Sequence, residues 1–444
     1  MEQEITRCFN EMRSTLTGKS QWHREKTNLY EGKHTADSLN ISLPREFDRK
    51  LKTELDWGAV AVDTLAADLD FDGFRNDSLG FTRLLYDYNG YPAIKSAIKN
   101  SMIGACSFIA VLPREDGSPF FTSYTGAEAT GIYDSRDGLV QALAVNSYED
   151  TNGFRAVKDW LYFLPGHVLK LDNNGRILSV VEMPTSKMLL VPFFYNQDAA
   201  SRPFGCSRIS AAAVNALESA LRTLKLIEIG HDVRLAIRNV ILASGSPGDL
   251  QKSETKVDLQ SILTIFNEGA GNVSIESLTG PSTSELQSMM ALLATNFASA
   301  VRMSATDFGY QPANGSLGEA AIEDQKRAYV NLVKSQRAAY GESITELAHV
   351  AMSLATGQEA NSDWNTIMPH FNEQIADSKF GAMADGLGKV ASIVPDLDLS
   401  DIVKYKLTGK TVLEEALTVE LPDFQAAKNK ALEFSSLRAA PHSL

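Results

Sequence analysis

From about Leu317 to Leu354 the sequence keeps a helical pattern with no proline. Ile344, Leu347, Val350, Ala351 and Leu354 mark the apolar face of its second half. At 1.5 Å per residue such a helix spans roughly 55 Å, longer than a small domain. A chain that contains it must either bridge layers or carry an element across them. The residues just before it, ATDFGYQPANGSLG (305–318), read as a loop rich in Gly, Pro and Asn.

Two further helical runs precede that loop. One covers 207–235, with Ile209, Ala213, Leu217, Leu221 and Leu224 near one face and Arg222, Lys225, Arg234 and Arg238 supplying basic groups on the flanks. As a plain helix surface, these charges would pair locally, as Lys225 can with Glu228. As a functional surface, they would meet another subunit or a phosphate. The other run covers about 284–302. Between them, 239–283 is short and mixed, and SILTIF within it fits a strand or a short helix.

The N-terminal half reads as helices followed by sheet. Ile5, Phe9, Met12 and Leu16 share a helix face over residues 1–20, with Gly18 as its expected end and a polar, irregular stretch from 21 to 44. Residues 45–70 and Tyr91–Met102 read as two more helices, the latter opened by Pro92. From Gly104 to Phe194 short apolar runs alternate with Gly and Asn turns, the pattern of an antiparallel sheet. The fold class is therefore α+β. Further short helices are expected over 360–430.

Charge and cysteine usage narrow the function. The 444 residues carry 42 basic and 55 acidic groups, a net of −13. That disfavours tight DNA wrapping, because affinity for phosphate comes from Lys and Arg. It suits a surface that DNA slides past, since an acidic wall repels the backbone. Cys8, Cys106 and Cys206 are odd in number and far apart, which suggests neither a disulfide framework nor a thiolate zinc site. Glu2 and Glu4 stand where a signal peptide carries positive charge, and no apolar run approaches a membrane span. A soluble protein of a reducing compartment is expected, with no membrane partner.

Candidate chemistry is sparse. Thr17-Gly18-Lys19-Ser20 and Thr408-Gly409-Lys410-Thr411 resemble the end of a phosphate loop, but Arg13 and Lys404 stand where its first glycine belongs. Asp68-Leu69-Asp70-Phe71-Asp72-Gly73 opens like a calcium loop, yet Leu79 replaces the bidentate glutamate, so an acidic turn after a helix is the better reading. No two histidines have HxxxH spacing. Ser207 follows Gly205-Cys206, but Ile209 stands where a nucleophile elbow needs glycine. No catalytic, metal or cofactor-binding residues emerge, and a non-enzyme is expected.

Five segments, taken in order, resemble the portal proteins of long-tailed double-stranded DNA phages, in the branch common in phages of Gram-positive bacteria. They are Tyr30-Glu31-Gly32, with Leu29 where the family has a first tyrosine; the stretch with Trp57, Val62-Asp63, Leu65 and Gly73-Phe74; and Arg202-Pro203-Phe204-Gly205-Cys206-Ser207-Arg208-Ile209, entering a helix. The fourth is the helix–loop–helix of 284–355, with Ser316 opening the long helix, and the fifth is Asp363-Trp364 with Ser378 to Val390. The resemblance runs from about residue 22 to 415.

That resemblance implies a portal fold and a ring of about twelve subunits at one capsid vertex. Residues 1–206 would form the α/β wing, 207–237 the stem helix, 238–283 the clip, 284–303 a second stem helix, 304–316 the tunnel loop, 317–355 the long wing helix, and 356–444 the crown and tail. Arg302, Asp307, Gln311 and Asn314 would face DNA, and Arg222, Lys225, Arg234 and Arg238 would lie at the stem interface. Partners implied are further copies of the chain, non-specific double-stranded DNA, the terminase large subunit, the head-completion adaptor and the major capsid or scaffold protein. The location implied is the virion, with assembly in the host cytoplasm. The alternative is another head structural or head-associated protein, such as a minor head protein or a nuclease.

Overall fold

The apolar stripe at the N-terminus forms a helix, α1 (Glu2–Tyr30), twice as long as the stripe itself. In this computed structural model the described residues are 2–34, 53–77, 79–114, 118–151, 154–183, 185–235, 239–244, 263–267, 274–277, 283–310 and 319–372. Residues 1–372 form one compact unit and 373–444 a second, which lies outside the described residues together with most of the helices expected over 360–430. Gly18 does not end α1. The helix continues because its second half is also buried, through His23, Lys26 and Leu29. The irregular stretch expected from 21 is helical to Tyr30.

Next come α2 (Trp57–Ala67), β1 (Phe71–Arg75), α3 (Phe81–Asp87) and α4 (Gly90–Gly104). The helix expected over 45–70 begins only at Trp57; residues 53–55 have no regular structure, and 35–52 lie outside the described residues. Gly58 lets α2 approach the end of α1, because a Cβ there would collide with the Leu29 carbonyl.

Eight strands follow: β2 (Cys106–Pro113), β3 (Pro119–Thr125), β4 (Ala129–Asp134), β5 (Gly138–Thr151), β6 (Phe154–Leu164), β7 (His167–Asp172), β8 (Ile177–Glu182) and β9 (Leu190–Phe194). They divide into a three-stranded sheet, β3-β2-β9, and a five-stranded sheet in sequence order from β4 to β8, all antiparallel. Both α4 and the long helix described below pack against β2. Burial on both faces explains why Cys106–Val111 is an unbroken buried run with no alternation. The five-stranded sheet buries one face under α1. Leu143 and Val145, Trp160 and Tyr162, and Leu169 and Leu171 meet Ile5, Phe9, Met12 and Leu16, the two-residue period of strands against the helical period of α1.

The C-terminal part of this unit is α5 (Ala211–Leu235), β10 (Asn239–Ser244), β11 (Leu263–Asn267), β12 (Ser274–Ser277), α6 (Thr283–Ala300), a 3-10 turn at Ala305–Phe308, α7 (Glu319–Thr356), a second 3-10 turn at Ser362–Thr366 and β13 (Met368–Phe371). β10 is central in its own small sheet, parallel to β11 and antiparallel to β12, so SILTIF supplies a strand. β13 pairs with β1. Residues 356–372, grouped with the crown by the resemblance, thus fold with the N-terminal elements. Ile344, Leu347, Val350, Ala351 and Leu354 of α7 are all buried.

Two buried histidines set an acid response. Burial, with Lys19 nearby, pulls the His23 imidazole down to about 4. His349 is likewise lowered by burial, against its bond to the Trp364 carbonyl and with Lys187 adding to the effect. A base whose folded pKa lies below its unfolded value near 6.5 destabilises the fold as pH drops, because the unfolded chain binds the proton first. Stability should therefore decline from pH 6.5 towards 4, and the His23 share should level off below that. Urea melts across this range check it: His23→Gln should flatten the decline, and an unchanged slope would assign it to other groups.

Candidate functional site

The entry into α5 is where separate layers of the fold are tied together. Gly205 has φ +72°, and a Cβ on it would collide with the Tyr195 carbonyl and stand 2.9 Å from the Ala105 carbonyl, so the turn needs glycine for both conformation and space. Cys206 N donates to Tyr195 O, and Arg208 N to Met102 O at 2.8 Å. The Ser207 hydroxyl also points to Met102 O; it serves the turn.

Arg208 is 3 % exposed. Its Nε donates to Ala61 O in α2 at 2.6 Å and its Nη1 to the Tyr195 hydroxyl at 3.0 Å. Its Nη2 has no partner among the described residues. Lys26 of α1 donates to Ile209 O, and burial lowers its pKa. One short segment thus fixes α1, α2, α4 and the end of β9 to the start of α5. Sequence reasoning took this segment as a helix entry and missed the buried guanidinium. Arg208→Ala should cost about 3 kcal/mol, through lost charge-assisted bonds and a cavity. Arg208→Met should cost clearly less, because it refills the space and removes a buried charge. Denaturant midpoints of the two variants check the order; equal losses would mean that volume does not matter here.

From this anchor α5 runs alongside α6. Ala213, Ala216, Leu217, Ala220 and Leu221 are buried on one helix, and Met290, Leu293, Ala294, Phe297 and Ala298 on the other. Of the four basic residues singled out, Arg222 pairs with Glu218 at 3.6 Å on its own helix, and Glu218 also meets His34 at 3.2 Å. Lys225 is buried, with 6 % exposure, so its flank is not a simple solvated face. Arg234 belongs to α5, but its side chain lies outside the described residues, as does Arg238 altogether.

The residues after α6 are more structured than a Gly/Pro/Asn loop suggests. Arg302 is exposed and takes a left-handed φ of +56°, ending the helix while Met303 N bonds back to Ala298 O. Ser304 and Asp307 then form a reciprocal capping box around the 3-10 turn, with Asp307 Oδ2 accepting from Ser304 N at 3.0 Å. Phe308 is buried, its ring 5.1 Å from Phe297 and 6.0 Å from Trp57, and Tyr310 also lies edge-on to Trp57. So Arg302 and Asp307 stand on a packed turn, and the Asp307 carboxylate is committed to a backbone cap. Gln311 and Asn314 lie outside the described residues.

α7 is bound back to the acidic turn after α2. Tyr329 donates to Asp68 Oδ2 at 2.7 Å, Arg337 reaches Asp68 O and Asn372 O, and Tyr340 shares a 2.7 Å bond with Ser101. Asp70 and Asp72 face Lys95 and His370 separately, and among the described residues no cluster of three potential metal ligands forms. Thr17-Gly18-Lys19-Ser20 lies inside α1, where helical bonding occupies the amides that a phosphate loop would present. The fragment at Thr408–Thr411 lies outside the described residues.

No protein-family model matches the chain, and no curated protein matches it. Among solved structures it is similar to a chain from the neck of an empty gene transfer agent particle computed with C6 symmetry. The identity is 13 % and the TM-score 0.45, over 84 % of this chain and 95 % of that one. It is also similar to a chain from the neck of the native particle computed with C12 symmetry, at 14 % identity and a TM-score of 0.43, over 80 % of this chain and 90 % of that one.

Proposed function

We propose that this chain is a phage portal protein: a non-enzymatic subunit that closes into a ring of about twelve, conducts DNA into and out of the head, and docks first the terminase motor and then the neck adaptor. One observation carries the reading. Two packed helices, α5 and α6, enclose a small sheet of β10–β12 in sequence, and they are followed directly by a braced turn and a 38-residue helix rooted in the body. That order suits a stem that projects an adaptor-binding clip, with a loop held at the channel wall.

In this reading the body formed by α1, α2, α4 and the two larger sheets is the wing. The buried Arg208 segment fixes the stem to it. Ring closure is head-to-tail, so each interface joins two different surfaces. An excess of acidic over basic residues keeps DNA from adhering, since any sustained grip needs phosphate neutralisation by Lys or Arg. Arg302, just before the loop, carries an exposed cation.

The test is native mass by light scattering with images of the same sample. A particle of about twelve 48.4-kDa chains with a central hole is expected. A compact dimer or tetramer without a channel would overturn the reading and favour a minor head protein or a nuclease, which hydrolysis assays would separate. Deleting residues 311–315 should leave assembly intact while impairing DNA packaging. The deletion must start after Phe308, because that side chain belongs to the core.

A further inference from the structure

Near the end of α7, the two ring nitrogens of His349 have opposite duties. Lys187, in the connection between β8 and β9, places its Nζ 3.3 Å from His349 Nδ1. An ammonium can only donate, so Nδ1 is the bare nitrogen that accepts. On the other side His349 Nε2 lies 3.0 Å from Trp364 O in the second 3-10 turn. A carbonyl can only accept, so Nε2 carries the hydrogen. The partners therefore fit one state of the ring, the neutral one. His349 is buried, and its ring stands between Phe81 of α3 and the Trp364 indole, with centroids 5.9 and 6.0 Å away. Those two rings also meet edge-on, at 5.7 Å.

The charges around this ring oppose a second proton. Lys187 faces Nδ1 directly. From α3 and the 3-10 turn the ring meets Phe81 and Trp364, while the charged side chains of those elements, Arg83, Asp87 and Asp363, are exposed. Glu359, beyond α7, is also exposed and accepts from Ser186 of the β8–β9 connection. Glu346 stands one turn earlier on α7, where burial raises its pKa and Lys187 opposes the rise; its own proton uptake steadies the closed form and tempers the effect. The Trp364 carbonyl favours a charged ring, but burial and Lys187 outweigh it. A proton on Nδ1 breaks the Lys187 bond and sets two cations face to face, so the ring must reach water. Leu347, Ala348, Val350 and Ala351 are fully buried and hold α7 in place, whereas the turn is anchored by Trp364 and Ile367 alone, so it is the turn that gives way. We propose that Lys187, His349 and Trp364 form an acid-released latch: protonation of His349 frees the β8–β9 connection from α7 and loosens the 3-10 turn with β13 behind it. The release is local to residues 357–371 and does not rest on the ring reading.

Hydrogen exchange of the full chain, read by mass spectrometry and corrected for intrinsic rates, tests it. Protection within 357–371 should be level above about pH 6.5, where even the opened histidine is neutral. Below that it should fall by roughly three- to tenfold per pH unit, because the opened form binds the proton first. In His349→Gln the fall should vanish from this segment, while β5 and β6 keep the parent's behaviour. Lys187→Gln keeps a donor for Nδ1 without the charge, so the total fall should shrink roughly twofold or more. If His349→Gln folds poorly, the lysine variant decides alone. A parent with no fall in this segment would overturn the latch. So would a fall that persists in His349→Gln, or one that stays at full size in Lys187→Gln, which would leave burial alone as its cause.

Discussion

Phe9→Ala should cost about 3–5 kcal/mol, the range for emptying a phenylalanine site in a packed core. Phe9 is fully buried, sits edge-on to Trp160 with ring centroids 6.1 Å apart, and lies over the Gly175 backbone, where even one added carbon would come within 2.7 Å of its ring. The site has little room to collapse, because on one side it is a pleated sheet and on the other a helix fixed at Ile5, Met12 and Leu16. A domain holds only about 5–15 kcal/mol in total, so this single change should remove a large share. Equilibrium unfolding in urea would read it as a lower midpoint at constant slope. A loss under about 1 kcal/mol would mean that α1 is not seated on this sheet.

That helix also shows what the sequence could disclose. The spacing of Ile5, Phe9, Met12 and Leu16 is a local signal, and it marks the buried face correctly. The end expected at Gly18 is also a local signal, a glycine after the last periodic residue, whereas glycine inside a helix costs only about 1 kcal/mol. Burial of Leu29 and the bond from Lys26 to Ile209 O hold the second half in place, yet Lys26 and the buried His23 look like surface residues in a sequence. The sheet region was legible as sheet because turns and apolar runs alternate. Its division was not, since β2 pairs with β9 across about eighty intervening residues and nothing local encodes that pairing.

The candidate site divides in the same way. The helical pair and the long helix are periodic and could be read. Ser304 and Asp307 have the spacing of a capping box, a signature present in the sequence but overlooked among the neighbouring Gly, Pro and Asn. The role of Arg208 could not be read at all. A buried arginine is defined by the carbonyl and hydroxyl it finds, Ala61 O and the Tyr195 hydroxyl, and both belong to other elements.

On the proposed portal reading, Leu221→Pro should abolish assembly of the ring. Leu221 is 1 % exposed and lies midway along α5, the helix that packs against α6. Proline there removes a helix hydrogen bond and drives its ring into the preceding turn, at a cost of about 3 kcal/mol or more, and it swings the rest of α5 off α6. Leu221→Ala separates this from lost packing. Alanine is the best helix former, so that variant should lose about 2–4 kcal/mol of stability and still assemble. The sheet body has its own core under α1, so hydrogen exchange should show β5 and β6 still protected in the proline variant while α5 opens. Full-sized rings from the proline variant would remove α5 from the ring interface. Loss of rings in both variants, with α5 still protected in the alanine one, would mean that assembly depends on the packing beneath Leu221 and not only on the straightness of the helix.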